Sequence, residues 1–234
     1  MSLSIIIPAK NEDKIIKDTI INLKKKLKEI DFEIIVIDDF STDKTYDIIK
    51  KIKLKNIFVY KNKFKGVASA IKLGIKNSKK NFTCIYMADQ SDNLSDLINY
   101  YKLISNNKID AVFGSRFIKG SKVVNYPKIK YFLNRVFNLF VKFIYFSDYN
   151  DFTNAFKIYN SKKIKKLDLN LSTSFEIFLE LPLKFINKNG NYLITSISWM
   201  QRKKNLSKFK IKELGSKYLK VLIYCLLNKI GLMK

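Results

Sequence analysis

The stretch EIIVIDDFSTDKT, residues 33–45, decides the fold because a short apolar run ends abruptly in two adjacent carboxylates. Residues 33–37 predict a buried β-strand, and the polar residues 41–43 can cap a helix that runs to Lys51. Two acids at the end of a buried strand are costly unless they bind something. The stretch therefore predicts one strand, one binding turn and one helix.

The same alternation of strand and helix extends on both sides of this stretch. Further strands are predicted over residues 3–7, 57–60, 82–87 and 110–114, and further helices over 15–23, 66–78 and 94–104. Short apolar strands that alternate with helices of ten or more residues indicate an α/β fold with a mostly parallel central sheet and helices on both faces. Ligands of such sheets bind at the carboxyl ends of the strands. The polar segments to inspect are therefore 8–12, 38–43, 89–92 and 114–116.

Carboxylates dominate these strand ends. Asp38 and Asp39 either cap a helix in a solvated turn or accept hydrogen bonds from the base and ribose of a nucleotide, and Glu12 could act in the same way. Asp89 and Asp92 suit a divalent cation, Mg²⁺ or Mn²⁺, that also binds phosphate oxygens. The chain has no histidine, which excludes histidine-based triads and imidazole general bases.

The formal charge of +25 comes from lysine, since only three of the 45 basic residues are arginine. Nucleic-acid readers rely on arginine for bidentate contacts, so we expect no nucleic-acid partner. Attraction to phosphorylated substrates or to an anionic membrane surface fits the charge better. Cys84 and Cys225 form no CxxC pair and are expected to be reduced thiols in the core.

Two aromatic and lysine-containing stretches, residues 126–146 and 218–232, are too short or too charged to span a membrane. Each either covers the sheet or lies as a basic amphipathic helix in the membrane interface. No signal peptide and no transmembrane helix are expected.

Seven segments in order resemble glycosyltransferase family 2, particularly its polyprenyl-phosphate branch of dolichyl-phosphate mannose synthase-like enzymes. They are SIIIPAKNE (4–12), EIIVIDDFSTDKT (33–45), KFKGVASAIKLGI (63–75), MADQSD (87–92), GSRFIKG (114–120), DFTNAFKIY (151–159) and SWMQRKKNLSKFK (198–210). The resemblance implies a GT-A, Rossmann-like domain over residues 1–210, followed by a C-terminal amphipathic helix over 211–234.

The resemblance also implies an activity: inverting, metal-dependent transfer of a sugar from a UDP- or GDP-linked donor to a polyprenyl phosphate. The implied location is cytoplasmic, peripheral at the inner face of the cytoplasmic membrane. One alternative is a family 2 enzyme that adds sugar to a saccharide hydroxyl in surface-polysaccharide or glycolipid synthesis. Another is an inactive scaffold that binds anions or membranes.

The implied site has a donor part and an acceptor part. The nucleotide-sugar residues are Pro8, Ala9, Asn11, Glu12, Asp38, Asp39, Ser41, Lys65, Gly66, Ala88 and Asp89. Asp89 holds the metal, with Asp92 assisting, because Met87 stands where many members have the first Asp of Asp-x-Asp. The phosphate-binding residues are Arg116, Lys130, Asn134, Arg202 and Lys208, and the catalytic residues are Asp89, Asp92, Asp151 and Arg116.

The acceptor decides whether a base is needed. A lipid monophosphate is mostly dianionic at neutral pH and is already nucleophilic, so it requires no strong general base. A saccharide hydroxyl would require a carboxylate base, for which Asp92 and Asp151 are the candidates.

Overall fold

The structure is a computed structural model that describes residues 1–52, 55–201 and 211–232. The strands are β1 (Ser2–Ala9), β2 (Asp31–Asp38), β3 (Ile57–Lys61), β4 (Phe82–Ile85), β5 (Ala111–Ser115), β6 (Lys122–Val124), β7 (Lys157–Asn160), β8 (Tyr192–Ser196) and β9 (Ser198–Met200). The helices are α1 (Ile16–Lys26), α2 (Thr45–Lys51), α3 (Val67–Asn77), α4 (Leu94–Asn106), α5 (Lys128–Tyr145), α6 (Ser161–Ile164), α7 (Ile177–Asn187) and α8 (Ile211–Lys229).

Seven strands form one sheet in the order β3-β2-β1-β4-β7-β5-β8. Every neighbouring pair in it is parallel except the two pairs that β7 makes with β4 and β5. The predicted α/β fold with a mostly parallel sheet is therefore confirmed. In the register, Ala9 lies beside Asp38 and Asp38 beside Lys61, so the carboxyl ends of β1, β2 and β3 share one edge.

Helices cover both faces of the sheet, and β1 shows why its sequence is apolar throughout. Its eight residues are all buried. Ile6 joins a core with residues of α3, α5, α7 and α8. Leu3, Ile5 and Ile7 join the opposite core with residues of α1 and α4. Successive side chains of a strand point to opposite faces, so a strand that is covered on both sides needs apolar residues at odd and even positions alike.

The antiparallel strand β7 was not among the predicted elements. It lies between β4 and β5, where Ile158 stands opposite Cys84 on one side and Val112 on the other. The strand has four residues and begins with a lysine, so it lacks the apolar run that marked the other strands. β8 was likewise missed, and β6 pairs with β9 in a separate two-stranded sheet.

The C-terminal helix α8 packs on the same core as the sheet. Its Tyr218, Val221, Leu222 and Cys225 are buried among residues of α5 and α7. Cys84 is buried in the opposite core, and both cysteines are free thiols. Among the described residues, no helix is both long enough and apolar enough to cross a membrane.

Gly74 allows α3 to approach β1 closely, which gives a test of the packing. A Cβ at this position would lie 2.3 Å from Cγ2 of Ile6, a β-branched and buried side chain with little freedom to move. Gly74→Ala should lower the free energy of unfolding by about 1–3 kcal/mol through overpacking. Urea unfolding followed by circular dichroism measures the change.

Gly215 in α8 is the matched control, because no described atom lies within 4 Å of a Cβ built there. Gly215→Ala should leave stability unchanged or raise it by up to about 1 kcal/mol through helix propensity. Equal unfolding midpoints for the Gly74→Ala variant and the wild type would contradict the close approach of α3 to β1.

Candidate functional site

A cavity of about 460 Å³ lies at the carboxyl edge of the sheet. It gathers side chains from the ends of β1, β4 and β5, from α5 and from the segment that precedes β7. Eight residues singled out in the sequence line it: Pro8, Glu12, Ala88, Asp89, Asp92, Arg116, Lys130 and Asn134. These residues span 127 positions of the chain, so the topology of the sheet brings them together.

The loops after β1 and β2 are tied to each other beside this cavity. The backbone N–H of Asn11 donates to Oγ of Ser41 at 3.1 Å, and Oδ1 of Asn11 accepts the N–H of Thr42 at 2.8 Å. Asp43 accepts the N–H of Thr45, the first residue of α2, at 2.9 Å, but the N-cap residue of α2 is Lys44, which lies just outside the predicted 41–43 and makes no side-chain capping hydrogen bond. Asn11 and Ser41 therefore shape the predicted nucleotide loop by binding to each other.

Asp38 and Asp39 are both buried but differ in their partners. One oxygen of Asp39 accepts the amide of Asn62 and the backbone N–H of Gly66, each at 2.8 Å. Asp39 thereby holds the loop after β3 in place. Oδ1 of Asp38 is buried and has no hydrogen-bond partner among the described residues. An unpaired buried carboxylate oxygen is costly, so this position suits a ligand that brings a hydrogen-bond donor.

Asp89 and Asp92 form the acidic side of the cavity. One oxygen of Asp89 accepts the backbone N–H of Ser91 at 3.0 Å. Burial, followed by the charge of Asp89, raises the pKa of the Asp92 carboxyl to about 8. Within the described ranges, no group of three acid, cysteine or histidine side chains could hold a metal by itself. The two carboxylates fit a cation that takes its other ligands from a diphosphate.

Arg116 and Asp151 form a buried ion pair between the end of β5 and the segment that precedes β7. Nε and Nη2 of Arg116 donate to the two oxygens of Asp151 at 2.8 and 2.7 Å, and the backbone N–H of Arg116 donates to the same carboxylate at 2.9 Å. Burial by itself would lower the pKa of the guanidinium, but the charge and hydrogen bonds of Asp151 outweigh it and raise the pKa. Arg116 is thus a permanent cation whose planar group is held in one orientation.

Aromatic rings surround the exposed side of this guanidinium. Its carbon lies 5.5 Å from the ring of Tyr126, 5.6 Å from Trp199 and 5.3 Å from Phe117. Tyr126 and Trp199 pack together with centroids 4.8 Å apart, and both line the cavity. Burial, followed by the nearby charge of Arg116, lowers the pKa of Lys130. Arg116 and Lys130 therefore create a positive region that an anion would stabilise.

Lys157, the first residue of β7, anchors the segment between Asp151 and β7. This fully buried lysine donates to the backbone carbonyls of Phe152, at 3.0 Å, and Asn154. Burial lowers the pKa of its ammonium to about 7, and the charge of Asp151 acts against that shift. The segment that presents Thr153 and Asn154 to the cavity is consequently fixed on both sides.

Several predicted site residues lie away from the cavity lining. They are Ala9, Asn11, Asp38, Asp39, Ser41, Lys65 and Gly66, which cluster at the ends of β1, β2 and β3, and Asp151, which is fully buried behind Arg116. Arg202 and Lys208 lie outside the described residues. Sequence reasoning missed Tyr126, Thr153 and Trp199, although Trp199 is the only tryptophan of the chain and Thr153 lies within the quoted segment DFTNAFKIY.

A mostly parallel α/β sheet with a cavity at its strand ends, lined by carboxylates and cations, is the architecture of proteins that bind nucleotides and other phosphorylated ligands. Comparison with known sequences identifies the family. The chain belongs to glycosyl transferase family 2, whose sequence profile matches residues 4–168.

Two named relatives each match about half of the chain. The dolichol-phosphate mannosyltransferase of Pyrococcus furiosus is 30% identical over 129 residues, which are 54% of this chain and 36% of that protein. A Methanococcus voltae dolichyl N-acetyl-alpha-D-glucosaminyl phosphate 3-beta-D-2,3-diacetamido-2,3-dideoxy-beta-D-glucuronosyltransferase is 34% identical over 114 residues, 45% of this chain and 36% of that protein. The match thus spans about a third of each relative's length.

Solved structures share the fold. Glucosyl-3-phosphoglycerate synthase from Mycobacterium tuberculosis, in complex with Mn²⁺ and UDP-glucose, superposes with a TM-score of 0.73 at 14% identity. The alignment covers 100% of this chain and 80% of that protein. The GT-A fold expected from the sequence is therefore confirmed.

Removing the charge of Asp151 tests the buried ion pair. Asp151→Asn leaves the Arg116 cation without its counter-charge and should lower the free energy of unfolding by about 3 kcal/mol or more. Replacing Arg116 by Met in the same background should recover part of this loss. Urea unfolding gives both values.

Asp148→Asn, at an exposed position nearby, is the control and should change stability by less than about 0.5 kcal/mol. If Asp151→Asn were as stable as Asp148→Asn, the pair would not hold this side of the cavity together.

Proposed function

We propose that the protein transfers a sugar from a nucleotide-diphosphate sugar to a polyprenyl phosphate, with inversion at the anomeric carbon. One observation carries the proposal. The cavity is lined by the carboxylates Asp89 and Asp92, by the cations Arg116 and Lys130, and by Leu133 of helix α5. Such a cavity can accept a charged donor and an acceptor that combines a phosphate with a hydrocarbon tail.

The donor half would use the strand ends of β1, β2 and β4. The unpaired oxygen of Asp38 and the carboxylate of Glu12 are suited to accept hydrogen bonds from the nucleoside. Asp89, assisted by Asp92, would hold Mg²⁺ or Mn²⁺ against the diphosphate. The metal would neutralise the charge that develops on the leaving nucleoside diphosphate. Glucosyl-3-phosphoglycerate synthase, which shares this fold, was crystallised with Mn²⁺ or Mg²⁺ and UDP.

The acceptor half would use Arg116 and Lys130. Both line the cavity, and a phosphate dianion there would be stabilised by the two cationic side chains, although Asp151 already pairs with Arg116. Arg116 would orient the acceptor because Asp151 and the three rings leave its guanidinium a single position. The acceptor oxygen could then attack the anomeric carbon directly. Arg202 and Lys208 would add further phosphate contacts.

The two carboxylates that a hydroxyl acceptor would need as a base are poorly suited to that task. Both oxygens of Asp151 bind Arg116. Asp92 has a pKa raised to about 8, mainly by burial, so without a cation it is protonated at neutral pH. A phosphate acceptor avoids the requirement because it is ionised in solution.

A saccharide hydroxyl is the second candidate acceptor. The Methanococcus voltae relative is named as a glucuronosyltransferase that acts on a dolichyl N-acetylglucosaminyl phosphate. On this alternative Asp92 would serve as the base once a cation keeps it ionised.

Transfer itself is the direct test. The full chain, incubated with Mg²⁺ or Mn²⁺, a panel of UDP- and GDP-sugars and undecaprenyl phosphate, should form a lipid-linked sugar detectable by mass spectrometry. Asp89→Asn should lower the rate by about 100-fold or more, since metal stabilisation of the leaving group is worth several kcal/mol. Asp47→Asn, an exposed acid on α2, should retain the wild-type rate.

Undecaprenol, which lacks the phosphate, should not be glycosylated. A product with an oligosaccharide but none with the lipid phosphate would favour the second candidate. Absence of both transfer and donor hydrolysis with every donor would favour an inactive scaffold.

Peripheral attachment to the inner face of the cytoplasmic membrane belongs to the same proposal. Helix α5 exposes Phe132, Val136, Phe140 and Phe143 at helical spacing, each at least 50% exposed. The T-shaped contact of Phe137 with Tyr218, centroids 5.8 Å apart, places α8 beside α5. An apolar face of this kind, on a chain of charge +25, suits a bilayer that contains anionic lipid.

Vesicle co-sedimentation tests the attachment. Wild-type protein should bind vesicles that contain phosphatidylglycerol, and Phe140→Asp/Phe143→Asp should weaken binding by about tenfold or more because two apolar side chains no longer enter the interface. Phe64→Asp, at a phenylalanine that is 74% exposed in the loop before α3, should bind as the wild type does. Equal losses in both variants would mean that α5 is not the contact face.

A further inference from the structure

A small hydrogen-bond network beside the cavity fixes the direction of the Thr153 hydroxyl. The backbone N–H of Thr153 donates to Oδ1 of Asn138 at 3.2 Å. Because a backbone N–H can only donate, the Asn138 side-chain atom that faces it must be the amide oxygen and not the amide nitrogen. Nδ2 of Asn138 then faces three oxygens: the backbone carbonyl of Asn134 at 2.8 Å, Oδ1 of Asn134 at 3.1 Å and Oγ1 of Thr153 at 3.0 Å.

The orientation of Asn134 follows in the same way. Its Oδ1 accepts from Asn138, since two amide nitrogens would repel each other at this distance. Nδ2 of Asn134 therefore faces Thr153 and donates to Oγ1 at 2.9 Å. The threonine oxygen thus receives two amide N–H donors, one from each asparagine.

A hydroxyl has two acceptor lone pairs and one hydrogen. Oγ1 of Thr153 faces two amide nitrogens, and amide nitrogens do not accept hydrogen bonds. Its hydrogen must therefore be donated to a third group, and no acceptor for it occurs in the described part of the chain. Thr153 lines the cavity. The network consequently aims a hydrogen-bond donor at whatever occupies that space.

We infer that Thr153 donates this hydrogen bond to a phosphate oxygen of a phosphate-monoester acceptor, with Asn134 and Asn138 as positioning residues. The inference rests on the proposed function and adds a binding residue to it. Thr153 binds to Asn134, which lies one turn from Lys130 on the same face of α5, so the hydroxyl and the ammonium serve the same part of the cavity. An anionic oxygen is the strongest acceptor that such a donor can meet.

Trp199 supplies a readout that does not require turnover. It is the only tryptophan of the chain and lines the same cavity, so its fluorescence should respond to an occupant. Farnesyl phosphate serves as a short acceptor probe, and farnesol as its uncharged control. Thr153→Val should weaken binding of farnesyl phosphate by about 10- to 100-fold, the range expected for a lost hydrogen bond to a charged group.

Thr153→Ser keeps the hydroxyl and should bind farnesyl phosphate within about threefold of the wild type. Binding of UDP and GDP with Mn²⁺ should be unchanged in both variants, which separates a lost acceptor contact from general damage to the cavity. If Thr153→Val does not fold, Thr153→Ala, which leaves room for water to bind the two amides, takes its place in the same comparison.

The outcomes distinguish the inference from the function on which it rests. Wild-type protein that binds no farnesyl phosphate overturns both. Wild-type protein that binds it, with Thr153→Val equal in affinity, overturns only the role of Thr153. Loss of nucleotide binding in parallel with loss of farnesyl phosphate binding overturns it as well, because the residue would then be structural.

Discussion

The bidentate ion pair between Arg116 and Asp151 joins two parts of the chain that are 35 residues apart. It fastens the end of β5 to the segment that leads into β7, and the acceptor side of the cavity depends on it. Both charges are buried, which is tolerable only because the carboxylate also accepts the backbone N–H of Arg116. Thr153 and Asn154 lie within three residues of Asp151, so the same interaction places the polar groups that face the cavity.

Helix α5 has one face toward the cavity and the core and another face that is exposed, because residues three or four positions apart lie on the same side of a helix. Lys130, Asn134, Phe137 and Val141, spaced by three or four residues, point inward, and the first three line the cavity. The exposed apolar face is formed by Phe132, Val136, Leu139, Phe140 and Phe143. A ligand bound to Lys130 would lie within about 10 Å, one helix diameter, of the exposed apolar face of α5, which a hydrocarbon chain could contact. This arrangement favours an acceptor that is itself amphiphilic.

The sequence predicted the parallel part of the sheet because each strand and its helix are local and strongly patterned. It did not predict β7, whose four residues form a strand only through pairing with two distant strands. The same distinction applies to the site. Strand-end carboxylates and ordered motifs pointed to eight of the residues that line the cavity. Trp199 and Thr153 escaped notice because their positions depend on the second sheet and on the network with α5, which no local pattern encodes.

The chain has no histidine, and the cavity is lined instead by two carboxylates and two cations. Burial, followed by the charge of Asp89, raises the pKa of Asp92, so a cation beside the two carboxylates would favour their ionised forms. Burial, followed by the charge of Arg116, lowers the pKa of Lys130, so an anion beside this ammonium would favour its charged form. An acceptor with its own negative charge would stabilise the ammonium of Lys130. It would also be an ionised nucleophile. A neutral hydroxyl would do neither, and it would still need a general base. Both oxygens of Asp151 already bind Arg116, and the pKa of Asp92 is raised to about 8, mainly by burial. The charges that line the cavity therefore support the proposed phosphate acceptor.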